Sequence, residues 1–337
     1  MDFVHWKLPK ESTFKSMMGT PKIIGAQVSP ILGRKGFLLF PFNATNSSVF
    51  FWEGDYKTHS LPKSSFPENT CSIDLIDEGK DAYYRNGNAL ISAVANGHFE
   101  KVVLSRRIEV QGTLDSKTCF AAMCHMYPDA FVYHYRINDV EWLGASPELF
   151  LNVDNEKVAS FSLAGTRLNS GNSDVPWPSK EQNEQQYVTD FVLDAFIKSG
   201  LTDIQVHDSV KHSAGAVEHI LSVVEAQVNP SFNLEKLILE LHPTPAVAGI
   251  PKEKAIKWIL ENEPHDREYY SGFLGETGTH QRLYVNLRCL KLEGRGISLF
   301  VGGGFTKDSD LDAEWEETVV KSKTMMAVLQ KMNNLAE

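Results

Sequence analysis

Near the C-terminus two apolar runs, L-Y-V-N-L-R-C-L-K-L (283–292) and I-S-L-F-V (297–301), flank the four residues E-G-R-G. Two strand-like runs joined by a short glycine-containing turn form a hairpin, so this end of the chain commits to antiparallel pairing. The second run ends in Gly302-Gly303-Gly304 and gives way to a helical segment, L-D-A-E-W-E-E-T-V-V-K. A second strong strand, K-V-V-L-S-R-R-I-E-V (101–110), alternates, with Val102, Leu104, Arg106 and Ile108 on one face and Lys101, Val103, Ser105 and Arg107 on the other. Further strands are read at A-F-V-Y-H-Y-R-I (130–137) and in the N-terminal runs I-I-G-A-Q-V, G-F-L-L-F-P-F and S-V-F-F-W-E, within residues 1–70.

Helices intervene irregularly. Residues 80–98 have helical spacing that stops near Gly97. The polar loop 169–179 leads into a helix from Lys180 to Ser199, closed by Gly200. Pro251 opens a helix as a first-turn proline does. No period recurs. The reading is an α+β protein with large antiparallel sheets and outer helices. It is taken as one domain, 1–337, with a short β-rich part (1–80) and a motif-bearing core at about 80–330.

The formal net charge of −10 argues against nucleic acid or an anionic membrane as the main partner. Cys71, Cys119, Cys124 and Cys289 form no C-x-x-C pair, as expected of reduced thiols in a cytoplasmic protein. The N-terminal M-D-F-V-H-W-K-L-P-K lacks the apolar core of a signal peptide, and no run approaches the ~20 apolar residues of a membrane span.

Glu314, Glu317 and Lys321 sit at i, i+3 and i+7 of the last helix and so project in nearly one direction. A surface Glu317–Lys321 pair is the plain explanation. The preceding glycines, which bring bare backbone close, point instead to a bound acidic substrate held through a divalent cation such as Mg²⁺. Lys101 opens its strand and is a candidate base. Glu148, fixed by Ser146-Pro147 and followed by Leu149 and Phe150, is a candidate general acid with a raised pKa. Ala164, Gly165 and Thr166 allow a backbone to approach a ligand. Glu184 shares a helix face with Val188, Phe191 and Ala195, whereas Glu181 and Gln185 fall on flanks open to solvent. Arg288, read as mid-strand and opposite Leu287 and Cys289, is suited to clamping a carboxylate. The rigid stretch L-H-P-T-P-A-V-A-G-I-P (241–251) offers His242 and Thr244 to a pocket.

The order of these pieces is more specific than any one of them. K-V-V-L-S-R, S-P-E, L-A-G-T-R, K-x-x-x-E, H-P-T-P-A-V-A-G-x-P, R-x-x-Y-x-G (Arg267, Tyr270, Gly272), L-R, G-G-G and E-W-x-E-T-x-x-K together resemble the chorismate-utilising enzymes, over roughly residues 80–330. The resemblance implies two packed, mainly antiparallel sheets with helices outside. Within the family the chain looks most like isochorismate synthases of menaquinone or siderophore pathways.

That likeness makes Lys101 the base that activates water and Glu148 the acid that protonates the departing 4-hydroxyl. It makes Glu184 and Glu317 ligands of Mg²⁺, with Glu314 reaching the metal through water. It sets Arg288, Tyr270 and the amides near Gly302 and Gly303 at the enolpyruvyl carboxylate, and Lys321 at the ring carboxylate or the metal-bound glutamates. Ala164 stands where aminodeoxychorismate synthases carry a nucleophilic lysine. No obligatory glutaminase subunit is then expected, and the protein would be a monomer or weak dimer. Gln185 stands where relatives often have histidine, and the short region before residue 80 argues against an N-terminal inhibitor pocket. The other readings are a salicylate synthase, an ammonia-using anthranilate or aminodeoxychorismate synthase component, and a chorismate-binding regulator without catalysis.

Overall fold

The computed structural model describes residues 1–61, 71–76, 79–168, 176–214, 217–294 and 296–334. Among them are two ten-stranded sheets whose paired strands are antiparallel, with six α-helices. The first sheet runs in the order Gly249–Ile250, Lys101–Leu114, Gly296–Phe305, Cys289–Glu293, Val140–Ser146, Phe131–Ile137, Phe3–Lys7, Thr13–Met18, Lys57–Ser60, with Cys71–Ile76 also paired to Lys101–Leu114. The second runs Gln205–Val206, Val217–Gln227, Lys157–Leu168, Leu149–Val153, Gln281–Val285, Phe273–Thr277, Gly36–Phe40, Val49–Glu53, Lys22–Ile24, with Val210–Ala214 added at Val217–Gln227. The α+β reading stands, and so does the hairpin: Cys289–Glu293 pairs with Gly296–Phe305. Residues 169–175 of the polar loop and Arg295 of the hairpin turn lie outside the described residues.

The sheets meet through an aromatic layer. Trp6, Tyr133, Tyr135, Trp142 and Phe300 of the first share one core with Phe37, Leu39, Leu274 and Tyr284 of the second. Rings stack across the interface at 4.3 Å between Phe131 and Tyr284. Large rings bury the most apolar area per residue and lock relative position through their stacking. Helices cover the outer faces. Ser116–Met126 and Leu311–Asn334 pack Phe120, Met123, Val328 and Leu329 on the first sheet. Ser179–Lys198 and Leu234–Leu241 pack Val188, Val192, Phe196 and Leu237 on the second.

Several details differ from the sequence reading, each for a physical reason. The Lys101 strand extends to Leu114, and both of its faces are buried from Lys101 to Arg106 because the Lys80–Ala95 and Lys252–Asn262 helices cover the face away from the aromatic layer. Alternation there marks two buried faces, not one wet and one dry. Pro251 is the N-cap of its helix, one position ahead of the first turn. The N-terminal strand Phe3–Lys7 pairs with Phe131–Ile137 on one side and Thr13–Met18 on the other, extending the first sheet beyond what the short apolar runs suggested. The run L-Y-V-N-L-R-C-L is not one strand. It ends at Val285 in the second sheet and resumes at Cys289 in the first.

That crossing has a twin. Ser146 ends a strand of the first sheet and Leu149 begins one of the second. The two crossings are sewn together by Val285 N–H to Glu148 O at 3.0 Å and Ala145 N–H to Arg288 O at 3.0 Å. Residues at the crossings, Glu148 and Arg288, are thereby held in the seam between the sheets.

Candidate active site

A pocket at this seam is lined by Lys101, Val103, Pro147, Glu148, Leu163–Thr166, Glu184, His219, Ala246, Val247, Tyr270, Leu287, Arg288, Gly302 and Lys321. Residues scattered over 220 positions of sequence are brought together by the two crossings, the glycine strand and two helices.

The glycines are there for close approach. A Cβ on Gly304 would stand 2.8 Å from Lys101 Cε and 3.0 Å from Glu184 Oε1. One on Gly303 would stand 3.2 Å from Glu314 Oε2, and one on Gly302 3.1 Å from the Tyr270 hydroxyl. Real Cβ atoms do not tolerate the shortest of these, so bare backbone is the floor on which the polar groups rest. Past Phe300 the glycine strand keeps the Lys101–Leu114 partner but leaves the end of the Cys289–Glu293 partner behind.

Lys101 is 1% exposed, not a strand-edge charge, and its Nζ donates to Glu184 Oε1 at 2.6 Å. Burial works to raise the Glu184 pKa. The Lys101 charge and hydrogen bond, helped by Lys321 and Lys180, outweigh it and hold the carboxyl below its ordinary range. Glu148 differs. It is 3% exposed and burial pushes it up to about 8, against the opposing charges of Lys101, Arg288 and Lys321. It therefore keeps its proton at neutral pH and can donate it.

Arg288 adopts a left-handed backbone with φ of 48°, a rare conformation for a side chain of this size, and this turns it into the seam. Its Nη2 donates to His219 Nε2 at 3.3 Å, and its buried Nε has no partner among the described residues. His219 Nδ1 lies 2.9 Å from Gly165 O, which assigns the proton to Nδ1 and leaves Nε2 as acceptor. Burial, with Arg288 and Lys321 nearby, holds His219 well below its ordinary pKa and keeps the ring neutral. Gly165 has a φ of 66° inside a register shift between Ala164 and Arg167, a bulge that aims its carbonyl at His219. Thr166 Oγ1 lies 3.3 Å from the same ring nitrogen. Tyr270, its phenol pushed up to about 12 by burial, stacks on Phe300.

The carboxylates of the last helix are already engaged. Glu317 Oε1 pairs with Lys321 Nζ at 2.6 Å, and Lys321 also donates to Gly302 O at 3.0 Å. Glu314, 1% exposed, accepts through Oε1 from Lys180 at 2.6 Å and from Ser309 at 2.7 Å, while its Oε2 is buried without a partner. Burial, then the neighbouring Glu317 charge, push Glu314 up to about 7 against the pull of Lys180 and Ser309. Among the described residues no three His, Cys, Asp or Glu side chains stand together as a ready metal cluster. The expected ligands Glu184, Glu314 and Glu317 instead each lean on a lysine. Their chemistry suits a hard divalent cation all the same: three carboxylates, two of them mutually repelling, and one unpartnered buried oxygen.

Three expected substrate-binding residues, His242, Thr244 and Gly303, are not in the pocket lining, and neither are the expected metal ligands Glu314 and Glu317. His242 is packed between Phe40, Phe150 and Phe273, with Nε2 3.0 Å from Pro41 O, and burial lowers its pKa to about 3. It is a core residue. Thr244 is buried beneath the pocket, where its carbonyl accepts from Val247 and Ala248, the neighbours of Ala246 in the wall. Gln185, expected on a solvent flank, is 5% exposed and bonds Ser162 O at 3.1 Å and Ser222 Oγ at 3.0 Å. It pins the helix to the second sheet with Glu184 facing inward. The sequence reading missed His219, one of several polar residues in the strand Val217–Gln227, and gave no role to Lys180, the first residue of K-x-x-x-E.

The fold and this constellation define a chorismate-binding protein, and comparison agrees. The family described as chorismate binding enzyme matches residues 55–330, so the chain belongs to that family. It is similar to the isochorismate synthase EntC of Escherichia coli K12, 31% identical over 249 residues, covering 69% of this chain and 63% of EntC. It is also similar to the isochorismate synthase MenF of Bacillus subtilis, 28% identical over 263 residues, 74% of this chain and 56% of that protein. The match thus spans less than two thirds of either relative. Among solved structures, a Bacillus anthracis protein described as a putative 2,3-dihydroxybenzoate-specific isochorismate synthase, DhbC, superposes with a TM-score of 0.84, 20% identity and coverage of 98% and 96% of the two chains. Component I of anthranilate synthase from Streptococcus pneumoniae superposes with a TM-score of 0.74, 17% identity and coverage of 96% and 92%.

Proposed function

We propose that this protein is an isochorismate synthase that adds water at C2 of chorismate with loss of the 4-hydroxyl. The observation that carries the reading is Glu148, a buried carboxyl in the same pocket as the buried side chain of Lys101, with burial pushing its pKa up to about 8. In this reading Lys101 acts as the uncharged amine, its ammonium proton first lost to solvent, and takes a proton from water as the water oxygen bonds C2. The ring double bonds shift, the C4–O bond breaks, and the proton of Glu148 leaves with the hydroxyl as water. Ala164 lines the pocket, and by the family resemblance it stands where aminodeoxychorismate synthases carry a nucleophilic lysine, which supports water over a lysine as the nucleophile.

The substrate carries two carboxylates, and the pocket offers cations and donors for them. Arg288, Tyr270 and the backbone near Gly302 and Gly303 suit the enolpyruvyl carboxylate, and Lys321 suits the ring carboxylate. A hollow of about 250 Å³ meets the pocket at Pro147 and Arg288, so an anion arriving through it encounters Arg288 first. Mg²⁺ would be held by Glu184 and Glu317, with Glu314 behind them, and its charge would offset that of the ring carboxylate beside these acids. Glu184 is shared between two roles: a carboxylate it lends to a cation is withdrawn from Lys101. We place the protein in the cytoplasm, as a monomer or weak dimer acting without a glutaminase subunit.

The test is product analysis by liquid chromatography and mass spectrometry after incubation with chorismate and Mg²⁺, with and without ammonium. Isochorismate as the sole product supports the reading. Salicylate with pyruvate would make the protein a lyase, an aminated product would make ammonia the nucleophile, and saturable binding without product would leave a regulator.

A further inference from the structure

Lys180 has no place in the chemistry above, yet it pairs with Glu314, the most buried of the three expected metal ligands. Its Nζ sits 2.6 Å from Glu314 Oε1, where Glu314 is 1% and Lys180 25% exposed in the side chain. Both flanking acids act on it as well: Glu317 and Glu184 are among the charges that bear on Lys180. One ammonium therefore faces all three carboxylates assigned to the divalent cation. The outer side of Lys180 lines a separate cavity of about 170 Å³, shared with Asn183, Tyr187, Thr306, Lys307 and Asp308. The side chain has room to swing outward into this cavity, where Glu100, Glu184 and Asp308 are the acids of a lining that also holds Val94, Phe99 and Lys307.

We propose that Lys180 is the resident counter-cation of the carboxylate cluster, neutralising it when the divalent cation is absent and withdrawing into the neighbouring cavity when that cation binds. The inference rests on the metal reading given above and adds to it a residue that sets cation affinity. The physical argument is competition. Buried like charges need a positive partner. While Lys180 supplies it, an incoming dication must displace an ion pair with good geometry, which weakens its apparent binding. The arrangement keeps the cluster folded and soluble between turnovers, at the expense of affinity.

The experiment is calorimetric titration of the purified full chain with MgCl₂, without chorismate, for wild type, Lys180→Met and Lys180→Arg. Met keeps length and removes charge. The inference predicts at least about tenfold tighter Mg²⁺ binding in Lys180→Met, about 1.4 kcal/mol, and near wild-type affinity in Lys180→Arg. It also predicts a lower melting temperature for Lys180→Met in EDTA, largely restored by Mg²⁺, which shows that the variant folds. Unchanged or weaker Mg²⁺ binding in Lys180→Met, with wild type binding normally, overturns the counter-cation role and leaves the metal reading intact. A wild type that takes up no Mg²⁺ at millimolar concentration overturns both.

Discussion

The two walls of the pocket are built in opposite ways. On the side of the crossings, Arg288 and Glu148 are held by backbone: a left-handed φ at one, a proline-fixed turn at the other, and hydrogen bonds between the crossings. Among the described residues Arg288 keeps an unpartnered buried Nε, and Glu148 feels the charges of Lys101, Arg288 and Lys321 without a close ion pair to any described residue. On the helix side, Glu184, Glu314 and Glu317 are held by side chains, each by a lysine at 2.6 Å. One wall is preorganised with its valences open, the other is internally neutralised and must exchange partners. Preorganised donors act on a reacting group without rearrangement at the moment of reaction, whereas the neutralised wall can respond to what binds.

Removing either member of the acid–base pair, Glu148 on the preorganised wall or Lys101 against the neutralised one, should have the largest effect. Lys101→Ala and Glu148→Gln should each lower kcat by about a hundred- to ten-thousandfold with the circular-dichroism spectrum unchanged. Near-normal kcat in either variant would remove that residue from the acid–base pair. Glu148 also gives a pH signature. Its folded pKa of about 8 lies above the ordinary carboxyl value near 4.5, so the folded protein keeps a proton that the unfolded chain has already lost between those limits. Stability from this group is full below about 4.5 and falls as pH rises through about 8. Activity should decline above about 8 as the acid is lost, and denaturant titrations of Glu148→Gln should show a flatter decline with pH than wild type.

The glycine strand lets the Lys101–Glu184 pair and Glu314 be perturbed separately. Gly304→Ala drives a methyl against Lys101 and Glu184 and should lower kcat by about a hundredfold. Gly303→Ala presses on Glu314 Oε2 instead and should mainly weaken Mg²⁺ binding, by several-fold, as read by calorimetry. Equal losses of kcat in the two variants would mean that the Lys101–Glu184 pair and Glu314 do not act separately. The smallest effect on catalysis is expected at His242. Replacement by Ala opens a hole between three phenylalanines and should cost about 2–4 kcal/mol of stability with KM for chorismate unchanged. A large rise in KM would return His242 to the binding site.

Much of the architecture was legible because periodicity and turn chemistry are local. The hairpin at Gly294, the helix stops at Gly97 and Gly200, and the burial of Glu148 beside Leu149 and Phe150 all follow from neighbours in sequence. What failed to show is non-local. Alternation in Lys101–Leu114 could not reveal that helices cover its second face. Arg288 reads as mid-strand because a chain that leaves one sheet and enters another keeps its apolar pattern through the crossing. His242 looks available in a turn-rich motif, but the aromatic stack that claims it comes from residues 40, 150 and 273. His219 and Lys180 acquire meaning only from what faces them. The set of catalytic candidates came from ordered motifs, and their partners came from three-dimensional packing.

The most direct test of the water-addition account is turnover of chorismate with Mg²⁺ in H₂¹⁸O, followed by mass spectrometry of the product. The account predicts isochorismate carrying one ¹⁸O, located at C2, with label and product both lost in Lys101→Ala. Isochorismate without label would mean that the hydroxyl migrates without solvent water, and it would contradict the role given to Lys101.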